Sequence, residues 1–170
     1  MIEIKEITHG ADANIPNQPF TLWGKMIPML QDGHWSYRTV ELEAPTEMCF
    51  PDYPYDLDGD GIFLGAYEGE TCIGVAVLRK AMFRYLYLED LKVDRAYRGR
   101  GIGSMLVEAA MSRAEAAQLQ GIYTIGQDNN LSACLFYLSR GFSIGGFDNR
   151  AYRGTSQEGK ADIYFYRDVK

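Results

Sequence analysis

In the opening MIEIKEI, apolar Ile2 and Ile4 alternate with Glu3 and Lys5, the period of two that marks a half-buried strand. Residues 10–19 are turn-rich and lead into a short helical or irregular segment over residues 20–30. Strand composition returns over residues 35–42 (WSYRTVEL) and is closed by Pro45, which cannot donate to a ladder. Residues 44–61 show no period and form the least regular part of the chain. Two apolar runs follow, residues 62–67 and 71–79, joined through Glu68-Gly69-Glu70 as a hairpin. The second continues through residues 80–84 into residues 85–93, where aromatic, branched and leucine side chains dominate without Gly or Pro. Three consecutive strands predict an antiparallel meander.

After a glycine-rich turn the period becomes helical. Ile102, Leu106, Ala109, Ala110 and Ala117 form a stripe opposed by Ser104, Glu108, Glu115 and Gln118, and the helix should end near Gly121. Residues 122–125 are a short apolar strand, and the following Gln127-Asp128-Asn129-Asn130 can cap a second helix over residues 131–140, ended by Gly141. Residues 142–152 and 161–169 read as two further strands around the polar loop 153–160. A meander followed by helix, strand, helix and strand predicts an α+β fold. With no internal repeat or linker, one domain spanning residues 1–170 is expected.

The chain is organised around residues 85–106, YLYLEDLKVDRAYRGRGIGSML, a strand that runs through a glycine-rich turn into a helix. That order builds an anion site: helix N-terminal amides lack intrahelical partners and carry partial positive charge. Gly99, Gly101 and Gly103 allow close approach, while Arg98 and Arg100 add formal charge. The spacing excludes the Walker loop and the dinucleotide fingerprint, because no Lys-Ser or Lys-Thr follows and Leu106 stands where a third glycine belongs. What remains is R-x-x-G-x-G, Arg98 to Gly103.

Composition narrows the chemistry further. A chain 46% apolar and 24% charged reads as a soluble globular protein, and neither a membrane-spanning run nor a signal-peptide core is present, which predicts a cytoplasmic location and no membrane partner. Cys49, Cys72 and Cys134 suit reduced thiols, and His9 and His34 stand in no metal-ligand spacing with them, so neither a metal nor a Ser-His-Asp hydrolase is expected. A net charge of −6 argues against nucleic acid and favours a cationic substrate. Glu47, Asp52, Asp56, Asp58 and Asp60, mixed with Tyr53 and Tyr55, suit a polyamine; the other reading is a solvated loop whose Asp-Gly pairs make turns.

A second motif follows the short strand: Asn130-x-x-Ala133-x-x-x-Tyr137-x-x-x-Gly141-Phe142. With R-x-x-G-x-G it resembles the GNAT superfamily of acyl-CoA-dependent N-acetyltransferases. The resemblance implies the GNAT (acyl-CoA N-acyltransferase) fold, a mixed, mostly antiparallel twisted sheet splayed at its central strands and flanked by helices. It implies acetyl-CoA as co-substrate, with the pyrophosphate on Arg98, Gly99, Arg100, Gly101, Ile102, Gly103 and Ser104. The pantetheine arm would lie along Leu91, Lys92 and Val93 and against Asn130 and Ala133. Tyr137 would lie by the thioester sulfur as general acid. Glu89 and Asp90 point to opposite faces if their strand is regular; Glu89 is favoured as base or water relay and Asp90 as anchor, the choice staying open.

Beyond these motifs the chain is similar to the streptothricin N-acetyltransferases in Pro19-Phe20, Gly24-Lys25-x-Ile27-Pro28, Glu43-Ala44-Pro45, Arg84-Tyr85-x-Tyr87-x-Glu89-Asp90 and Gln127 to Leu131 with Ala133-Cys134-x-Phe136-Tyr137. This implies acetylation of the β-lysine amine of a cationic antibiotic, hence antibiotic resistance, and a possible homodimer. One departure bears on the acceptor: Ile125-Gly126 stands where the family has Glu-Thr. Two alternatives stay open, a GNAT enzyme for another amine (polyamine, aminoglycoside or protein amine) and a non-catalytic acyl-CoA-binding module.

Overall fold

The computed structural model describes all residues except Asp58 and Met82, so Asp58 of the acidic loop lies outside the described residues. In chain order the elements are β1 (Ile2–Glu6), α1 (Gly10–Ala13), β2 (Phe20–Gln31), β3 (His34–Met48), β4 (Ile62–Glu68), β5 (Thr71–Lys80), β6 (Tyr85–Val93), α2 (Ile102–Ala116), β7 (Gly121–Gln127), α3 (Leu131–Ser139), β8 (Ser143–Asp148) and β9 (Asp162–Asp168). They form two compact units. The first comprises Met1–Gln18, Cys49–Ile122 and Asp168–Lys170; the second comprises Pro19–Met48 and Tyr123–Arg167.

In the first unit the strands lie in the order β1-β4-β5-β6, and every described pair among them is antiparallel, as the meander required. One face carries Val75 and Val77, clustered with Ile7, Ala13 and Phe63 beneath Ile15, Tyr55 and Leu57. The other face receives α2: a Cβ added at Gly74 of β5 would lie 3.2 Å from Leu106 and 3.3 Å from Ile102. The buried stripe of α2 is Ile102, Leu106, Val107, Ala110, Met111 and Ala114, while Ala109 is half-buried and Ala117 exposed. The expected stripe therefore drifts at its C-terminal end. So does the stop. Leu119 N bonds Ala114 O at 2.9 Å and Gln118 N bonds Glu115 O at 2.9 Å, a Schellman closure in which Gln118, φ 55°, takes the left-handed position expected near Gly121.

In the second unit the segment expected to be helical or irregular over residues 20–30 is a strand. β2 pairs with β3 from Phe20↔Met48 to Gln31↔His34, turned by Asp32 and Gly33, whose φ values of 51° and 79° suit a two-residue hairpin turn. Pro28 lies within β2, and a two-stranded ribbon leaves each strand one edge where a missing N–H is harmless. Pro45 does not close β3 either; the register jumps from Gly24↔Glu41 to Leu22↔Thr46, and Pro45 sits in that bulge. β7, β9 and β8 lie in that order, and β8 ends at Asp148, short of the expected 152. Asp128, 1% exposed, ties this unit together: its side chain accepts from Ala161 N at 3.0 Å and meets Lys25 Nζ at 3.0 Å, while its carbonyl accepts from Met26 N at 2.9 Å.

Candidate active site

The glycine-rich turn is shaped before the helix begins. Asp94 N is held by Ile73 O at 2.8 Å, and Asp94 Oδ1 accepts from Ala96 N at 2.9 Å, capping a 3₁₀ turn over Arg95–Tyr97. Arg98 then extends (φ −62°, ψ 154°) and its Nε donates to Val93 O at 3.1 Å, folding its stem back on the end of β6. Gly99 and Gly101 follow with φ 78° and 80°, and nothing lies within 4 Å of a Cβ built on either. Side chains are excluded there by backbone conformation, and the space above both α-carbons is open.

Gly101 is the N-cap of α2 with no side chain capping it, and Met105 N is bonded back to its carbonyl at 3.1 Å. Ile102, 2% exposed, buries the first turn, to which Gly103 and Ser104 also belong. That turn holds no acidic residue, and Arg100 stands exposed with its guanidinium carbon 4.9 Å from the centre of the Tyr97 ring. A helix N-terminus, two open glycines and two arginines fit a diphosphate in charge and space.

On β6 the structure changes the expected geometry. Val77 pairs with Asp90 but Leu78 pairs with Leu88, so Glu89 is the extra residue of a bulge and the strand is not regular. Directly paired residues share a face. Asp90 and Lys92 therefore lie with Val77 and Val75, on the face opposite α2, and the bulge brings Glu89 to that face as well, where it bonds Arg79 Nε at 2.9 Å. The two carboxylates do not point to opposite faces.

Their environments differ. Glu89 and Arg79 are both about one-third exposed, at 34% and 30% of their side chains. The Asp90 side chain is 25% exposed; its Oδ2 accepts from Tyr55 Oη at 3.0 Å and lies 3.8 Å from Lys92 Nζ. Burial raises the Asp90 pKa above the ordinary carboxylate range, opposed by Lys92, by the Tyr55 hydrogen bond and by the Leu91 amide. Burial first, then the Asp90 carboxylate, pushes the Tyr55 phenol up, so it remains a donor. The Lys92 side chain thus has a role of its own, 15% exposed and 5.9 Å from the centre of the Tyr55 ring. Leu91 and Val93 pair with Ala76 and Gly74 on the α2 face.

In the second unit α3 carries the second motif. Asn130 is its N-cap, with Oδ1 accepting from Ala133 N at 3.3 Å. Tyr137 is 9% exposed, its ring set against Phe136, Phe142 and Phe165 at centroid distances of 5.6, 5.4 and 5.5 Å. Phe142 N bonds Tyr137 O at 3.1 Å and Gly141 N bonds Leu138 O at 3.2 Å, a Schellman closure whose customary apolar contact is the Tyr137–Phe142 pair. The Y-x-x-x-G-F spacing is thus a helix stop that fixes the tyrosine ring. Gly126 lies under the same group: a Cβ there would stand 3.1 Å from Phe165 Cε2 and 3.5 Å from Cys134 Sγ. Cys134 itself is buried, its thiol pushed up to about 12, chiefly by burial.

Tyr55, Asn14 and Gln18 are partners of this region that sequence reading did not single out for it. Tyr55 is 35 positions from Asp90, and no local pattern signals so distant a contact. Among the described residues no cluster of three or more His, Cys, Asp or Glu could hold a metal, and no helix is long and apolar enough to cross a membrane.

The model of the Acetyltransferase (GNAT) family matches residues 27–142, and the chain belongs to that family. It is an acetyl-CoA-dependent N-acetyltransferase with the α+β fold of the acyl-CoA N-acyltransferases. It is similar to streptothricin acetyltransferase A of Bacillus subtilis (strain 168), 32% identical over 170 residues that cover 96% of this chain and 98% of that one. It is also 31% identical over 112 residues to a streptothricin acetyltransferase of Escherichia coli, covering 65% of this chain and 64% of that one. Among solved structures it matches a Bacillus anthracis str. Ames protein described as a streptothricin acetyltransferase in complex with acetyl coenzyme A. The TM-score is 0.89 at 28% identity, over 99% of this chain and all of that one.

Proposed function

We propose that this enzyme acetylates a primary amine of a cationic small molecule, namely the β-lysine amine of streptothricin, and so inactivates the antibiotic in the cytoplasm. What carries the choice of acceptor is similarity to the Bacillus subtilis enzyme over nearly the whole chain, well beyond the two cofactor motifs. The net charge of −6 suits a cationic acceptor.

In this reading the amides of Ile102, Gly103 and Ser104, with Gly99, Gly101, Arg98 and Arg100, take the diphosphate. Leu91, Lys92 and Val93 offer backbone groups to the pantetheine amides, and Asn130 and Ala133 flank that arm. An alkylammonium of pKa about 10.4 is neutral in about one part in a thousand near pH 7.4, a cost of roughly 4 kcal/mol. Transfer to an ordinary carboxylate is uphill by about 8 kcal/mol, so the acceptor group needs a raised pKa or a water relay. Asp90 has the raised pKa, whereas Glu89 is held by Arg79, and we assign proton acceptance to Asp90 in place of Glu89. The neutral amine attacks the thioester carbonyl and forms the C–N bond, and the C–S bond breaks. The departing thiolate, of pKa about 8.5, takes a proton from the Tyr137 phenol, and the proton that the nitrogen sheds on becoming an amide returns through solvent to the phenolate.

The test is release of free thiol from acetyl-CoA on adding streptothricin to the purified enzyme; no release at saturating drug refutes the acceptor. A second reading keeps the reaction and changes the amine. Ile125-Gly126 favours it, because the carboxylate of the Glu-Thr pair expected there is missing, and a Cβ at Gly126 would stand 3.1 Å from Phe165 Cε2, close enough that the ring would have to shift. A panel of amines followed by mass shift separates the two readings.

A further inference from the structure

We propose that Tyr55 is a positioning residue for Asp90, and that Asn14 holds Tyr55 in place. The inference rests on the reading above that Asp90 accepts the proton, and it extends the site into the irregular loop before β4. Tyr55 Oη donates to Asp90 Oδ2 at 3.0 Å while its ring packs edge-on against Phe63 at 5.8 Å and Tyr53 at 6.2 Å. One amide completes both of its main-chain groups: Tyr55 N donates to Asn14 Oδ1 at 2.7 Å, and Asn14 Nδ2 donates to Tyr55 O at 3.0 Å. Asn14 Nδ2 is also bonded to Gly10 O at 2.8 Å, which anchors it to α1.

The same short strap fastens both ends of the region. Asn17 holds the loop, its N donating to Asp52 Oδ1 at 2.7 Å and its Nδ2 to Pro51 O at 3.0 Å. Gln18 holds the residues before the diphosphate turn, with Nε2 donating to Asp94 Oδ2 at 3.3 Å and Oε1 accepting from Arg95 N at 2.5 Å. A loop without regular structure has no ladder to fix it; here side-chain amides take that role. The hydroxyl it presents sets the plane of the Asp90 carboxylate against β6. The groups facing Asp90 are Tyr55 from the loop, Lys92 and Glu89 from β6, and Arg79 from β5 through Glu89; Asp52 and Tyr53 line the groove beside Lys92.

The sign of the effect follows from which protonation state the hydroxyl favours. A donor to the carboxylate stabilises the ionised form, so removing it moves the carboxyl pKa up. In Tyr55→Phe the ring contacts remain. We expect the acid limb of kcat/KM for the amine to move up by about one pH unit, kcat at pH 7 to fall, and KM for acetyl-CoA to stay unchanged. Asn14→Ala should move the limb in the same direction. The experiment pairs these pH profiles with a ¹³C NMR titration of the Asp90 carboxyl in wild type and Tyr55→Phe, and with the profile of Asp90→Asn.

If Asp90→Asn abolishes the limb and Tyr55→Phe shifts both limb and titration, the proposal stands. If Asp90→Asn abolishes the limb but Tyr55→Phe moves neither, the positioning role is overturned while Asp90 remains the base. If Asp90→Asn keeps the limb and the rate, the base reading fails and the positioning role falls with it.

Discussion

Asn130 is asked to do two things, and its two side-chain atoms allow them to be separated. Its Oδ1 caps α3 through Ala133 N at 3.3 Å, which leaves Nδ2 as the atom a pantetheine carbonyl would use. Asn130→Ala removes both functions. Losing the cap costs about 1 kcal/mol, which for a chain of this size lowers Tm by about 2–4 °C. Losing a donor to a buried carbonyl costs about 1–3 kcal/mol, or about a 5- to 150-fold rise in the Kd for acetyl-CoA. Asn130→Asp keeps an acceptor for Ala133 N and adds negative charge at a helix N-terminus, so its Tm should match or exceed wild type. It lacks the N–H donors, so its Kd should rise as in the alanine variant. Differential scanning fluorimetry without ligand reads the cap, and calorimetric titration with acetyl-CoA reads the donor. If Asn130→Asp binds acetyl-CoA as wild type does, Asn130 is a cap and nothing more.

Three further outcomes are expected. Tyr137→Phe retains the three ring contacts and removes the hydroxyl, so kcat should fall by about 10²-fold with coenzyme affinity little changed; unchanged kcat in single-turnover assays would dismiss the general acid. Asp128→Ala leaves the buried Ala161 N–H unpaired and the half-exposed Lys25 without its ion pair, costing about 2–4 kcal/mol, whereas Asp128→Asn keeps an acceptor for Ala161 and should cost about half as much. Equal denaturant midpoints for the two would contradict this. The raised pKa of Asp90 predicts a pH dependence of stability. Because the folded pKa lies above the unfolded value, the folded state binds more protons in the window between them, and stability is lost as pH rises through it. Below about pH 4 both states are protonated and the effect is absent. The Tm of Asp90→Asn relative to wild type should therefore climb from pH 4 towards neutrality, and a flat difference would remove the desolvation argument.

Much of this was legible along the chain, because its causes are local. Alternation in MIEIKEI, the Glu68-Gly69-Glu70 turn and the unbroken apolar run of β6 each depend on residues close together, and each element formed where it was read. The glycine-rich turn and the Asn130-to-Phe142 spacing were equally local, since they encode a helix start, a cap and a Schellman stop. Of the β2–β3 ribbon only residues 35–42 of β3 were read as strand; β2 and the far end of β3 escaped. Nearly all of β3 is exposed on both faces, so burial imposes no period on it, and Pro45 counted against a strand whose bulge accommodates it. The clue present was Asp32-Gly33, a hairpin pair without alternating flanks.

The carboxylates show the other limit. That Glu89 and Asp90 mattered could be read from their place in the strand; which one would be clamped and which half-buried could not. One extra residue in β6 turned Glu89 to the face of Asp90, and residues 14, 55 and 79 then decided their different surroundings. Sequence alone determined the β4–β6 meander, the anion turn, α2 and the helix that holds Tyr137, because short-range backbone preferences and side-chain periodicity suffice for those. Strand register, the bulge and the Tyr55–Asp90 bond came from tertiary structure, since each is the outcome of pairing between distant segments, where a shift of one residue reverses the face a side chain occupies.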